Sequence, residues 1–123
     1  MTRAALFLCV LLASSLLATS ALAMISREYI LRVVRAHLPE IRACYEDGLR
    51  SHPDLAGRVV IRFSILGDGT VPSADVTAST LSDPAVGQCI AARVRTFVFP
   101  PIDRVGGIQV NYPFIFEAPS ASN

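Results

Sequence analysis

The sequence predicts a small α+β domain in which a three-stranded antiparallel sheet, in the order 2-1-3, carries two helices on one face. Three observations predict this fold. Alternating apolar residues flank a glycine-containing turn, two longer segments have apolar residues at helical spacing, and proline occurs beside or within two of the three strand segments. The predicted order of elements is α-β-β-α-β. With 123 residues, the chain has the length of one domain.

A β-hairpin is predicted over Gly57–Thr80. Its first strand, Arg58–Leu66, alternates apolar residues with more polar ones, which is the pattern of a strand with one buried face. Asp68-Gly69 marks the reversal, because glycine adopts positive φ at little steric cost. The expected buried face of the return strand comprises Ala74, Val76 and Ala78. Because a proline precedes this strand, we expect a β-bulge at Pro72–Ser73.

Two amphipathic helices are predicted on either side of the hairpin. The first runs from an N-cap at Ser26 to about Ser51 and kinks or restarts at Pro39, which lacks an N–H group. The second begins at Asp83-Pro84 and ends before Pro100-Pro101. The inward-facing residues are expected to be Ile30, Val33, Val34, Leu38, Ile41, Tyr45 and Leu49 in the first helix and Val86, Ile90, Val94 and Phe97 in the second.

The positions of proline predict the strand order. Proline cannot donate to a β-ladder, so it belongs in edge strands. Pro72 accompanies the second strand and Pro113 lies within the third, Ile108–Glu117, whereas the first strand has no proline. The first strand is therefore expected in the centre, and the second helix then makes a right-handed crossover. The third strand is expected to face the helices with Ile108, Val110, Tyr112, Phe114 and Phe116.

Residues 1–23 are interpreted as a signal peptide. Arg3 is the positive n-region, an apolar stretch follows, and Ala21-Leu22-Ala23 is an A-x-A cleavage signal. The alternative is a retained membrane anchor, because the apolar stretch is nearly long enough to span a bilayer. Ser14, Ser15, Thr19 and Ser20 within this stretch favour cleavage. A periplasmic or secreted product is therefore predicted, with membrane contact only if the leader remains, and residues 119–123 are expected to form a loose tail.

The cysteine count predicts one disulfide. Of three cysteines, Cys9 falls in the predicted leader, which leaves Cys44 and Cys89. An even number of cysteines in an exported chain is typical of disulfide bonding. Each thiol also lies beside the buried stripe of its helix, so the bridge would join the two helices. Removal of Arg3 from eleven basic residues leaves ten, against ten acidic ones, and this balance argues against nucleic-acid binding.

We predict no catalytic site, metal site or cofactor. His37 and Cys44 would lie about 10 Å apart along a helix, which is too far for a Cys–His nucleophile. The four residues His37, Cys44, His52 and Cys89 lack the spacing that zinc ligands usually show. The Gly67–Gly69 turn is not followed by the oxygen ligands of a calcium loop.

Several short motifs, taken together, resemble those of a known family. The first is C-Y-E, near the end of the first helix within His37–Leu49. A C-I pair and an F-P pair follow within Asp83–Pro101, and Y-P-F lies within Val110–Glu117. With Pro53–Val71 they make residues 24–118 resemble the C-terminal domain of the myxobacterial AgmX/PglI proteins, itself similar to the TonB C-terminal domain. The resemblance implies a non-catalytic extracytoplasmic module that binds other envelope proteins.

The resemblance also implies where a partner binds. TonB-type domains pair a peptide with a sheet edge, and this role falls on the last strand. The predicted partner-binding residues are Val110, Tyr112, Phe114, Ile115 and Phe116. Two alternatives stay open: the partner binds the uncovered face of the sheet instead, or Pro113 and Glu117 blunt this edge against pairing. Two other functions stay open: a small secreted enzyme with an unrecognised site that uses His37 or His52, and a structural or inhibitory secreted domain.

Overall fold

The computed structural model describes residues 27–102 and 105–118. The predicted signal peptide (residues 1–23), the N-cap at Ser26 and the predicted tail (residues 119–123) lie outside the described residues. The elements are α1 (27–36), α2 (Leu38–Ser51), β1 (Gly57–Ile65), β2 (Ser73–Ser79), α3 (Pro84–Val94) and β3 (Ile108–Phe116). The predicted order α-β-β-α-β is confirmed, with the first helix divided into α1 and α2.

The division of the first helix falls at His37, which forms a turn between α1 and α2. Pro39 is thereby placed in the first turn of α2. The N–H groups of a first helical turn have no intrahelical acceptor, so the missing donor of proline costs nothing there. Residues 27–32 belong to a separate compact unit, in which the guanidinium carbon of Arg32 lies 5.8 Å from the centroid of the Tyr29 ring.

The sheet is antiparallel and has the order β2-β1-β3, which confirms the predicted 2-1-3 arrangement. The central strand alternates as predicted, and its buried side chains are Val59, Ile61, Phe63 and Ile65. Both outer strands pair with β1 and leave their other sides as sheet edges. None of the helices in the described residues is long and apolar enough to cross a membrane.

The β-bulge lies at Thr77, and the predicted position at Pro72–Ser73 was wrong. Val60 pairs with Ala78 whereas the next residue, Ile61, pairs with Val76, so Thr77 is the extra residue. The change of parity places Ala78 on the exposed side, and its expected burial was also wrong. Alanine fits either face of a strand, and the alternating pattern therefore gave no sign of the bulge.

The hairpin turn requires glycine at position 69. Gly69 has a φ of 90°, and a Cβ atom there would collide with the carbonyl oxygen of Phe99. This close approach arises because the Phe99 N–H donates to the Gly69 carbonyl at 2.8 Å. On the other side of the turn, Asp68 Oδ1 accepts hydrogen bonds from the N–H and hydroxyl groups of Thr70 at 3.0 and 2.7 Å. These bonds lower the pKa of Asp68 below its usual value.

The helices α2 and α3 cover the apolar face of the sheet and are joined by a disulfide. Gly87 of α3 lies so close to the sheet that a Cβ atom there would be 3.1 Å from the Val76 side chain. The disulfide links Cys44 of α2 to Cys89 of α3. Phe97 is buried as predicted, although α3 ends three residues earlier, at Val94.

Candidate functional site

The outer edge of β3 has backbone groups that point away from the sheet, and the hydrogen bonds of β1 identify them. In an antiparallel pair, opposed residues alternate between hydrogen-bonded and non-hydrogen-bonded pairs. Arg58 bonds towards β2, because its carbonyl accepts from the Thr80 N–H and its N–H donates to Thr80 Oγ1, both at 2.8 Å. The residue opposite Arg58 on β3 is Ile115. The N–H and C=O groups of Ile115 therefore face outward.

Every second residue of β3, counted from Ile115, likewise has its backbone hydrogen-bonding groups facing outward. Val60 supports it independently, because its carbonyl accepts from the Thr77 hydroxyl of β2 at 3.4 Å, and Val60 lies opposite Pro113. The residues whose backbone faces outward are Gln109, Asn111, Pro113 and Ile115. Pro113 thus lacks its N–H at a position where the β1–β3 ladder needs none. We call these four residues the outward row.

The outward row is open in the described part of the chain. None of the backbone hydrogen bonds of the described residues reaches the outer side of β3 between positions 109 and 115. The first partner appears beyond the strand, where the Tyr45 hydroxyl lies 3.1 Å from the carbonyl oxygen of Glu117. The edge is therefore open along the strand and closed at its end.

A groove of about 220 Å³ lies beside this edge, between α2 and β3. Its lining consists of Leu38, Ile41 and Arg42 from α2 and of residues 112–116 from β3. Leu38 was predicted to point inward, but 41% of its surface is exposed. Arg42 is the one charged residue in the lining. An extended segment placed along the outward row would thus meet apolar side chains and one cation on the helix side.

Tyr45 fixes the end of β3 against α2. Its ring stacks on Phe116 with 4.5 Å between the ring centroids. Its single O–H group donates to the carbonyl oxygen of Leu55, and the hydroxyl oxygen also lies 3.1 Å from the carbonyl oxygen of Glu117. Burial raises the pKa of the Tyr45 hydroxyl above its usual value. The neighbouring Cys44 is bonded to Cys89, so the same turn of α2 is held both to α3 and to β3.

The opposite edge of the sheet is protected. The backbone of β1 bonds alternately to β2 and to β3, and Phe63 is one of the residues that bond to β3. Ala74 of β2 lies opposite Phe63 and therefore has no backbone bond to it, so the Ala74 carbonyl faces outward. Arg95 Nη2 donates to this carbonyl at 2.8 Å. At the hairpin end of β2, Val98 forms an isolated β-bridge with Thr70. The chain that follows α3 therefore covers part of the β2 edge.

The five predicted binding residues divide into two groups. The backbone of the first group bonds to β1 and its side chains point to the helices; this group comprises Val110, Tyr112, Phe114 and Phe116. The second group is Ile115 alone, whose side chain lies on the open face of the sheet and is 70% exposed. The residues predicted from the sequence did not include Gln109 and Asn111, whose backbone faces outward, or the α2 residues that line the groove. The parity of Pro113 could have identified the first two, because a proline in an edge strand directs its nitrogen outward.

Neither histidine belongs to the groove lining, and each contacts residues outside it. His37 stacks on Phe97 with 4.2 Å between the ring centroids. His52 Nε2 lies 3.9 Å from Asp83 Oδ2, beyond hydrogen-bonding distance, and Asp83 caps α3 by accepting from the Ala85 N–H. Within residues 27–102 and 105–118, there is no group of three or more His, Cys, Asp and Glu side chains that could hold a metal ion.

A comparison with solved structures matches the chain to a TonB domain. That structure is the NMR solution structure of Helicobacter pylori TonB-CTD (residues 179–285), with 19% sequence identity and a TM-score of 0.43. The match covers 76% of this chain and 92% of the TonB domain. No model of a protein family matches the sequence, and no curated protein matches it. The resemblance to the AgmX/PglI domain stays a prediction.

Proposed function

We propose that this chain is a non-catalytic protein-binding module of the cell envelope, and that it binds an extended segment of a partner protein along the outward row of β3. One observation carries the proposal: a regular edge strand has outward N–H and C=O groups without a hydrogen-bond partner among residues 27–102 and 105–118, and it lies beside an apolar groove. An incoming strand would obtain main-chain hydrogen bonds from the edge and side-chain contacts from the groove.

The proposed compartment is the periplasm or the extracellular space. The Cys44–Cys89 disulfide supports it, because disulfides persist in oxidising compartments. Export would use residues 1–23 as a cleaved leader. The intact mass of the exported protein is then expected to match a chain that begins at Met24 and lacks two hydrogens. A mass that includes the leader would instead support a membrane anchor.

The AgmX/PglI resemblance of the sequence supports the same class of function, since it implies a module that binds envelope proteins. The ten basic and ten acidic residues of positions 24–123 balance in charge and give no basis for a nucleic-acid partner. We therefore propose one or more envelope proteins as partners, without a cofactor or a metal.

Removal of one outward N–H group tests the proposal. The variant Asn111→Pro removes a donor from the outward row, whereas the β1–β3 ladder does not use this donor. Pull-down from envelope extract with the wild type and with Asn111→Pro compares capture of the same proteins. We expect the variant to lose the specific partner, as each lost bond weakens binding about fivefold and the proline ring obstructs the incoming strand.

Two further variants control for surface chemistry. Ile115→Lys adds a charge to the outward row, and Val98→Lys makes the same change at an exposed apolar residue away from β3. We expect Ile115→Lys to reduce capture and Val98→Lys to leave it unchanged. Identical partner lists from wild type, Asn111→Pro and Ile115→Lys would exclude the β3 edge as the binding site.

A further inference from the structure

Pro113 lies within the outward row, two residues from Asn111 and two from Ile115. We propose that Pro113 makes the β3 edge selective for a foreign strand over a second copy of this chain. This inference rests on the proposed function, since it concerns which strands the edge accepts. It follows from the direction of one missing N–H group and from the symmetry of a homodimer.

The edge has few other features that would prevent self-pairing. Natural edge strands are usually short, bulged or charged. β3 is nine residues long, pairs with β1 in continuous register, and contains no charged residue between Ile108 and Phe116. Glu117 follows the strand rather than lying within it. A regular, uncharged edge of this length would be expected to pair with another copy.

A homodimer through this edge would lose two hydrogen bonds. In a twofold-symmetric antiparallel pair, every contact of one copy with the other is repeated. Outward residues then oppose outward residues, and each such pair exchanges two hydrogen bonds. In any register in which Pro113 of one copy opposes an outward residue of the other, its missing N–H is repeated by symmetry.

A foreign strand that lies on the same edge meets Pro113 only once. It therefore loses one hydrogen bond, and its own donors are complete. One bond is worth about fivefold in a dissociation constant. The two bonds that a homodimer loses therefore raise its dissociation constant about 25-fold. The proline ring adds to the difference, because its Cδ replaces the amide hydrogen and points towards the incoming strand in both copies of a homodimer.

The test is the self-association of Pro113→Ala, measured by sedimentation equilibrium of the exported chain. Pro100→Ala makes the same chemical change at an exposed proline outside the strands. We expect the dimer dissociation constant of Pro113→Ala to fall about 25-fold or more below that of the wild type and of Pro100→Ala.

Amide hydrogen exchange identifies the interface in the same samples. The amides of Asn111 and Ile115 should exchange more slowly as the concentration of Pro113→Ala rises. The amides of Tyr112 and Phe114 should not change, because they already bond to β1. Protection that increases elsewhere, without a change at positions 111 and 115, would overturn the inference.

A double variant covers the case in which alanine at position 113 alters the fold. Asn111→Pro combined with Pro113→Ala moves the missing N–H by two residues and should return self-association to the wild-type level. Equal dimer constants for wild type, Pro113→Ala and the double variant would overturn the inference and leave the proposed function standing. Partner capture that is insensitive to Asn111→Pro would instead overturn the proposed function.

Discussion

The two edges of the sheet differ in length, regularity and hydrogen bonding. β2 has seven residues and a bulge at Thr77, and Arg95 donates a hydrogen bond to the outward carbonyl of Ala74. β3 has nine residues in continuous register, and the outward row is open within the described chain. The polar strand is thus the protected one, and the apolar strand is the open one. The accessibility of an edge depends on the groups that surround its backbone, which the composition of the strand alone does not determine.

The largest expected effect comes from removal of the disulfide, which holds together the helices beside the two edges. The double variant Cys44→Ala/Cys89→Ala should be destabilised by about 4 kcal/mol, because the bridge closes a long loop in the unfolded chain. Urea unfolding of the variant and of the oxidised wild type measures the difference. The same loss should appear when the wild type is reduced, and equal midpoints in all three samples would contradict a structural role for the bridge.

Tyr45→Phe should weaken the closed end of β3. The change leaves the buried carbonyl of Leu55 without its donor, which costs about 1–3 kcal/mol. The matched control is Tyr112→Phe, because the Tyr112 hydroxyl has no hydrogen bond among the described residues. This control variant should lose less stability than Tyr45→Phe.

The contribution of Tyr45 to the free energy of unfolding should also depend on pH. Because the folded state raises the pKa of Tyr45, this contribution is complete below about pH 10 and is lost as the pH rises through the folded-state pKa. Denaturant unfolding at neutral and alkaline pH measures both effects.

Arg95→Met should open part of the β2 edge. The variant keeps the apolar stem but loses the bond to the Ala74 carbonyl, so we expect a destabilisation of about 1 kcal/mol. Arg93→Met, an exposed arginine of α3, is the control for loss of charge. Thermal unfolding measures stability, and amide exchange measures protection of β2. If both variants have the same stability as the wild type, Arg95 does not protect this edge.

The smallest expected effect concerns Asp68, at the hairpin between β1 and β2. Hydrogen bonds from Thr70 lower the folded-state pKa of Asp68. The contribution to stability is therefore present above the unfolded pKa of about 3.9 and is lost as the pH falls through the folded-state value. Asp68→Asn should reduce the acid dependence of the melting temperature slightly, without effect on the β3 edge. An unchanged acid profile would contradict this role of the carboxylate.

The strand order and the disulfide followed from simple residue patterns. Pro72 and Pro113 marked the edge strands, and the assignment of Cys9 to a predicted leader left one pair of cysteines, Cys44 and Cys89. These patterns were informative because each has one strong physical cause: proline has no N–H group, and exported cysteines pair. The alternation along β1 was equally clear, since a strand buried on one face repeats every second residue.

Other features depended on contacts that the sequence does not display. The bulge at Thr77 was hidden because alanine at position 78 fits either face of the strand. The exposure of Leu38 follows from the groove between α2 and β3, which helical spacing does not predict. The bond from Arg95 to β2 joins residues 21 positions apart in the chain. The groove and the Arg95 bond each arise from the packing of one element against another.

The comparison of the edges is tested most directly by photo-crosslinking from matched positions. Asp75 of β2 and Asn111 of β3 both lie opposite Arg62, so their side chains lie on the same face of the sheet and at the same level along the strands. A photoreactive residue is placed at one position or the other, and the protein is irradiated in the native envelope. We expect a defined protein adduct from position 111 and none from position 75. Adducts from position 75 alone, or equal yields from both positions, would contradict an open β3 edge opposite a protected β2 edge.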